Sequence, residues 1–129
     1  MTLEEIREFC AGLPGSTEDI KWECNLVFSA VDKMYAVVDV KKGSTLDHVI
    51  PADPDSPPAI SFKTLPEMFP SLCEREGIAP APYLARNSWV LAKPNDALPA
   101  PQLRDFIRLS HKFAFQKLTK KKQREILGE

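Results

Sequence analysis

The stretch from Ile20 to Lys42, IKWECNLVFSAVDKMYAVVDVKK, narrows the possible folds more than any other part of the chain. Trp22, Val27, Phe28, Tyr35, Val37, Val38 and Val40 give it the aromatic and β-branched richness of strands. Val31, Asp32 and Lys33 stand between two such runs where a chain can reverse, so the segment reads as an antiparallel hairpin. KKGS at 41–44 ends its second strand, and the prolines of PADPDSPP remove backbone donors and keep 43–58 a loop. AISFK at 59–63 reads as a third strand and SWVLAK at 88–93 as a fourth.

Helical patterns surround these strands. Thr2 and Glu5 form a capping-box pair, Leu3, Ile6, Phe9, Cys10 and Leu13 recur at helical spacing, and Pro14-Gly15 ends the element. LPEMFPSLCEREG, 65–77, opens with proline and glutamate and closes on glycine, as a second helix would. Leu103, Phe106, Ile107, Ser110, Ala114 and Leu118 fall on one face of a third, with KLTKKKQREIL as a short further helix behind it. The expected molecule is a single α+β domain over residues 1–129, an antiparallel sheet with helices packed on it in the order α-β-β-β-α-β-α.

A chain of 129 residues with 43% hydrophobic and 27% charged content can bury one core without staples. No apolar run approaches a membrane span, and the acidic start MTLEEIREFC is unlike a signal peptide, so the expectation is a cytoplasmic protein with no membrane role. Cys10, Cys24 and Cys73 are widely spaced, with no CxxC pair and no zinc-like spacing to His48 or His111. They read as reduced, mostly buried thiols. No metal, cofactor or catalytic constellation is expected, and the reading is not an enzyme.

The net charge of −1 conceals an asymmetry. Residues 1–102 carry nine basic and fifteen acidic side chains, whereas residues 103–129 carry eight and three. The chain is an acidic body with a basic end, and Arg104, Arg108, Lys112, Lys117, Lys120, Lys121, Lys122 and Arg124 form a surface able to meet phosphates. Glu18, Asp19 and Glu23 read as a solvated acidic patch.

APAPYLARNSWV, residues 79–90, is the other distinctive segment. Pro80 and Pro82 hold their predecessors extended and stiffen the loop up to Tyr83. A stiff loop can present Tyr83, Arg86 and Asn87 without losing much entropy on binding; Arg86 suits a phosphate and Tyr83 a base or ring. Trp89, within a strand pattern, reads as a core anchor. Lys63 closes a strand at a corner where backbone N–H groups favour anions, although no glycine-rich cradle accompanies it.

DKMYAVV, SFKTLPEMF, GIAPAPYLARNSWV and KLTKKKQ together resemble the MmcQ/YjbR family of small bacterial proteins, over about Trp22 to Arg124. The resemblance implies a CyaY-like or secretion-chaperone-like α+β architecture and DNA binding through a double-wing arrangement, with no catalytic role at any matching position. His111 stands where the family commonly has an aromatic residue after the serine. Two functional readings follow. In one, Lys63, Tyr83, Arg86 and Asn87 form a DNA site, with Arg104, Arg108, Lys112, Lys120 and Lys121 attracting the backbone. In the other the chain is a protein- or peptide-interaction adaptor, with a protein partner or a homodimer and an exposed apolar patch or free sheet edge.

Overall fold

The computed structural model describes residues 1–82, 84–93 and 98–129. Helix α1, Leu3–Ala11, starts from the expected capping box: Thr2 Oγ1 accepts from the Glu5 N–H at 3.2 Å, and Glu5 Oε1 accepts from the Thr2 N–H at 2.9 Å. Leu3, Ile6 and Cys10 form its buried stripe. The expected hairpin proves to be a three-stranded meander of β1 (Ser16–Lys21), β2 (Asn25–Ala30) and β3 (Lys33–Asp39). Its turns need left-handed backbone, supplied at Trp22 (φ 52°), Glu23 (φ 68°) and Val31 (φ 59°).

Strand β4 is Ile60–Lys63, as expected. The following segment gives only a short helix, α2 (Phe69–Cys73). Pro70 lacks the N–H that would join a longer helix back to Pro66, so the apolar stripe divides into a turn at Leu65–Met68 and this five-residue piece. An additional strand, β5 (Ile78–Pro80), precedes β6 (Trp89–Ala92), and a 3-10 turn at Ala85–Asn87 lies between them. Helices α3 (Ala100–Gln116) and α4 (Lys120–Leu127) complete the chain, with Thr119 Oγ1 capping α4 through the Lys122 N–H.

The strands form one antiparallel sheet in the order β1-β2-β3-β4-β6-β5. Its two faces differ. Leu26, Phe28, Ala36, Val38, Ile60 and Phe62 pack against α1 and α3 in the main core, where Phe62 stacks on Phe106 with centroids 5.4 Å apart. Burying side chains of this size contributes about 1.5–3 kcal/mol each. The register of β2 against β3 shifts between Phe28 and Ser29, leaving Tyr35 as the extra residue of a bulge. The bulge lets both Tyr35 and Ala36 enter the helix-covered core.

At the bulge the β3–β4 ladder stops after the Ala36–Phe62 pair. Ser110 of α3 continues it. Its hydroxyl accepts from the Lys63 N–H at 3.0 Å and donates to the Tyr35 carbonyl at 2.6 Å, joining the two strands where they no longer bond directly. His111 packs edge-on against Tyr35 at 5.1 Å and bonds the Pro14 carbonyl at 2.7 Å, so an imidazole occupies an aromatic position in the core. Of the cysteines only Cys10 is buried; Cys73 is partly covered and Cys24 exposed, which corrects the expectation of mostly buried thiols.

Among the described residues the other face has no α-helix. Val27, Val37 and Trp89 are buried there beneath Ala81 and Leu84, so the proline-rich loop itself covers one end of the sheet. Towards the other end a groove of about 580 Å³ stays open, bounded by Met34, Leu91 and Leu84 and by Trp22, Asn25 and Asp39.

Candidate nucleic-acid interface

The strand directions gather several cations at one end of the sheet. β3 begins at Lys33, which pairs with Asp32 of the preceding turn at 3.8 Å, β4 finishes at Lys63, and β6 begins at Trp89 immediately after the turn carrying Arg86 and Asn87. Thr64 ties these pieces together, because its N–H and hydroxyl both donate to the Ser88 carbonyl, at 2.9 and 3.1 Å. Ser88 itself adopts φ 64°, which closes the 3-10 turn and turns the chain into β6. Trp89, 5% exposed, fixes the base of this corner as expected of an anchor.

Arg86 and Asn87 are exposed, and Arg86 has no ion-pair or hydrogen-bond partner among the described residues. Lys63 is half-buried rather than fully solvated; its ammonium lies 5.8 Å from the centroid of the Phe113 ring on α3. Burial lowers its pKa, and the nearby charge of Lys117 lowers it further. Two like charges are thus held near each other, with no carboxylate paired to either among the described residues. Tyr83 lies outside the described residues.

The remaining basic positions divide. Lys120 and Lys121 open α4, exposed, and Ile126 of that helix packs on Gly15 at the same end of the sheet. Arg104 and Arg108 instead belong to the α1–α3 seam. Arg108 pairs with Asp105 at 2.9 Å and lies 5.0 Å from the Phe9 ring centroid. Glu5 is held below the usual carboxylate range chiefly by its hydrogen bonds with Thr2, and the amino terminus and Arg104 add to this. Lys112 is exposed on α3. The basic surface is therefore divided, between an end where Lys33 and Lys122 pair with Asp32 and Glu125 while Arg86, Lys63 and Lys117 have no carboxylate partner among the described residues, and a partly neutralised seam.

The acidic side chains are distributed too. Glu18 is not merely solvated: Arg7 holds it in a two-point ion pair, with Nε–Oε2 at 3.1 Å, and this contact raises the Arg7 pKa. Glu23 pairs with Lys42 at 3.4 Å. Among the described residues no group of His, Cys, Asp and Glu is arranged to hold a metal ion, and no helix is long and apolar enough to cross a membrane.

The class defined by these features is an α+β protein of one antiparallel sheet, covered by helices on one face, grooved on the other and cationic at one end. The family model YjbR matches residues 11–113, and the chain belongs to the YjbR family. A solved Deinococcus radiodurans protein described as having a DUF419 domain is similar at 28% identity and a TM-score of 0.75, over 98% of this chain and 88% of that one. A Pseudomonas syringae protein shares the fold at 24% identity and a TM-score of 0.66, over 88% of this chain and 99% of that one. No curated protein matches the chain.

Proposed function

We propose that this protein binds DNA, meeting the phosphate backbone with the cationic end of its sheet. The observation that carries the reading is the set of cations without a carboxylate partner there among the described residues: exposed Arg86, and Lys63, which lies over the Phe113 ring and near Lys117. Holding like charges together costs free energy, and a bound anion relieves that cost. The guanidinium of Arg86 can hold a phosphate through two parallel N–H···O bonds, while Lys63 and Lys117 act as point charges. Exposed Lys120 and Lys121 of α4 extend the attraction along the duplex.

Such contacts position a protein on the backbone and read little sequence. Asn87 beside Arg86 is the exposed amide placed to reach a base edge or sugar. The net charge of −1 favours a focused contact over wrapping, because the remaining surface repels the polyanion.

Fluorescence anisotropy with a labelled duplex at two salt concentrations tests the reading, with Arg86→Ala beside the natural protein. The expected result is binding that weakens with salt and is reduced in Arg86→Ala at unchanged melting temperature. No binding at low salt, or an affinity indifferent to salt, overturns it.

A further inference from the structure

The groove on the helix-free face differs from the cationic end in chemistry, although Met34 follows Lys33 and Leu84 lies two residues before Arg86. Its floor is a row of cross-strand neighbours, Val37 opposite Ser61 and Ser61 opposite Leu91, with Met34 beside them. A volume of about 580 Å³ lies within the range of small-molecule sites. A floor of this kind excludes water from whatever apolar body rests on it.

Three polar groups along the groove are unspent. Asp39 and Asn25 are a cross-strand pair at its rim. The Asp39 carboxylate has neither ion pair nor hydrogen bond among the described residues, and although the residue is exposed at the rim, partial desolvation raises its pKa. Asn25 uses its amide nitrogen in a long 3.8 Å contact to Cys24 Sγ, which leaves the side-chain carbonyl oxygen unoccupied. Among the described residues the Ser61 hydroxyl makes no hydrogen bond, yet no side-chain oxygen there is both sealed from solvent and unpaired. That hydroxyl therefore opens into the groove it lines.

Trp22 completes the rim. It is 65% exposed, the most exposed large hydrophobic side chain described, and stands in left-handed backbone at φ 52° next to Asn25. Tryptophan in that conformation costs about 1–2 kcal/mol, and neither burial nor a ring contact among the described residues offsets the cost. Its indole face is the best of the aromatic surfaces for a cation.

We propose that this groove is a binding site for an organic cation with an apolar body, the ammonium lying between the Asp39 carboxylate and the Trp22 ring and the body resting on Met34, Val37 and Leu91. Charge decides the class. The open groups are a carboxylate, an amide carbonyl and a hydroxyl, each able to accept, and no cation lines the groove among the described residues, so an ammonium gains a partner where a carboxylate or phosphate meets the charge of Asp39. The site stands independently of DNA binding, since it uses neither Arg86, Lys63 nor Lys117.

Phenethylammonium, phenethyl alcohol and hydrocinnamate share one aromatic body and differ in the head group. Titrating each into the natural protein, Asp39→Asn and Trp22→Leu, while following amide and indole resonances by NMR, tests the site. The expected result is saturable binding of phenethylammonium with shifts at Trp22 and Leu91, weakened at least about tenfold in Asp39→Asn and severalfold in Trp22→Leu. The alcohol should bind more weakly and hydrocinnamate not at all. Asp39 and Trp22 are exposed, and an unchanged melting temperature of each variant separates lost binding from lost fold. No saturable binding of phenethylammonium, equal binding of all three compounds, or indifference to Asp39→Asn overturns the proposal.

Discussion

Ser110 shows how a single hydroxyl can be structural. It lies on the apolar stripe of α3, buried, and joins the Lys63 N–H to the Tyr35 carbonyl across the interrupted ladder. Ser110→Ala keeps the helix but leaves two buried backbone groups unpaired, and should cost about 1–3 kcal/mol in urea denaturation. Cys10 makes a second prediction at this scale. Burial raises its thiol pKa from 9.0 to about 12, and the phenol of Tyr35 is raised by burial as well. The folded state therefore retains protons that the unfolded chain releases. The associated stability is complete below pH 9 and is lost as pH rises towards about 12. Thermal melting should fall across that window, and less steeply in Cys10→Ala. The position of Ser110 and the anchoring of Trp89 were legible in the sequence because helix and strand periodicities place them. The bulge at Tyr35, which gives Ser110 its task, leaves no local signature, since it depends on how β2 and β3 pair.

Among the elements, α1, β4, β6 and α3 follow from their patterns, and two strands do not. β1, STEDIK, has mostly polar residues, with every side chain half-buried or exposed, so it lacks strand composition and is held by pairing with β2. β5 is three residues long and ends on Pro80, which suits an edge position but gives too short a run to recognise. α4 was readable as a helix, but its docking was not. Gly15 has φ +68°, and a Cβ there would lie 2.9 Å from Ile126 Cδ1. Gly15→Ala should destabilise the protein by about 1–2 kcal/mol through the backbone alone. It should also loosen α4, visible as faster amide hydrogen exchange over Lys120–Leu127; unchanged exchange there would mean that α4 is held by other contacts.

The whole molecule is organised by the difference between the sheet's faces and the difference between its ends. The runs LVF in β2 and YAVV in β3 place apolar side chains on both faces, a signal that each face is covered. The helices cover one. The loop through Ala81 and Leu84 covers only part of the other, and the groove is what remains. The cationic end could not be drawn from the sequence in full, because Lys63 and Lys117 are 54 positions apart and only the packing of α3 brings them together. The most direct test of this account is the slope of log binding constant against log salt for a DNA duplex. It should be measured for the natural protein and for Lys63→Gln/Arg86→Gln/Lys117→Gln, with Arg104→Gln/Arg108→Gln as the control. The account predicts that the triple variant loses about 0.9 of slope for each phosphate contact removed, while the control changes less because Arg108 already has Asp105. A triple variant that folds and keeps the natural slope and affinity would contradict it.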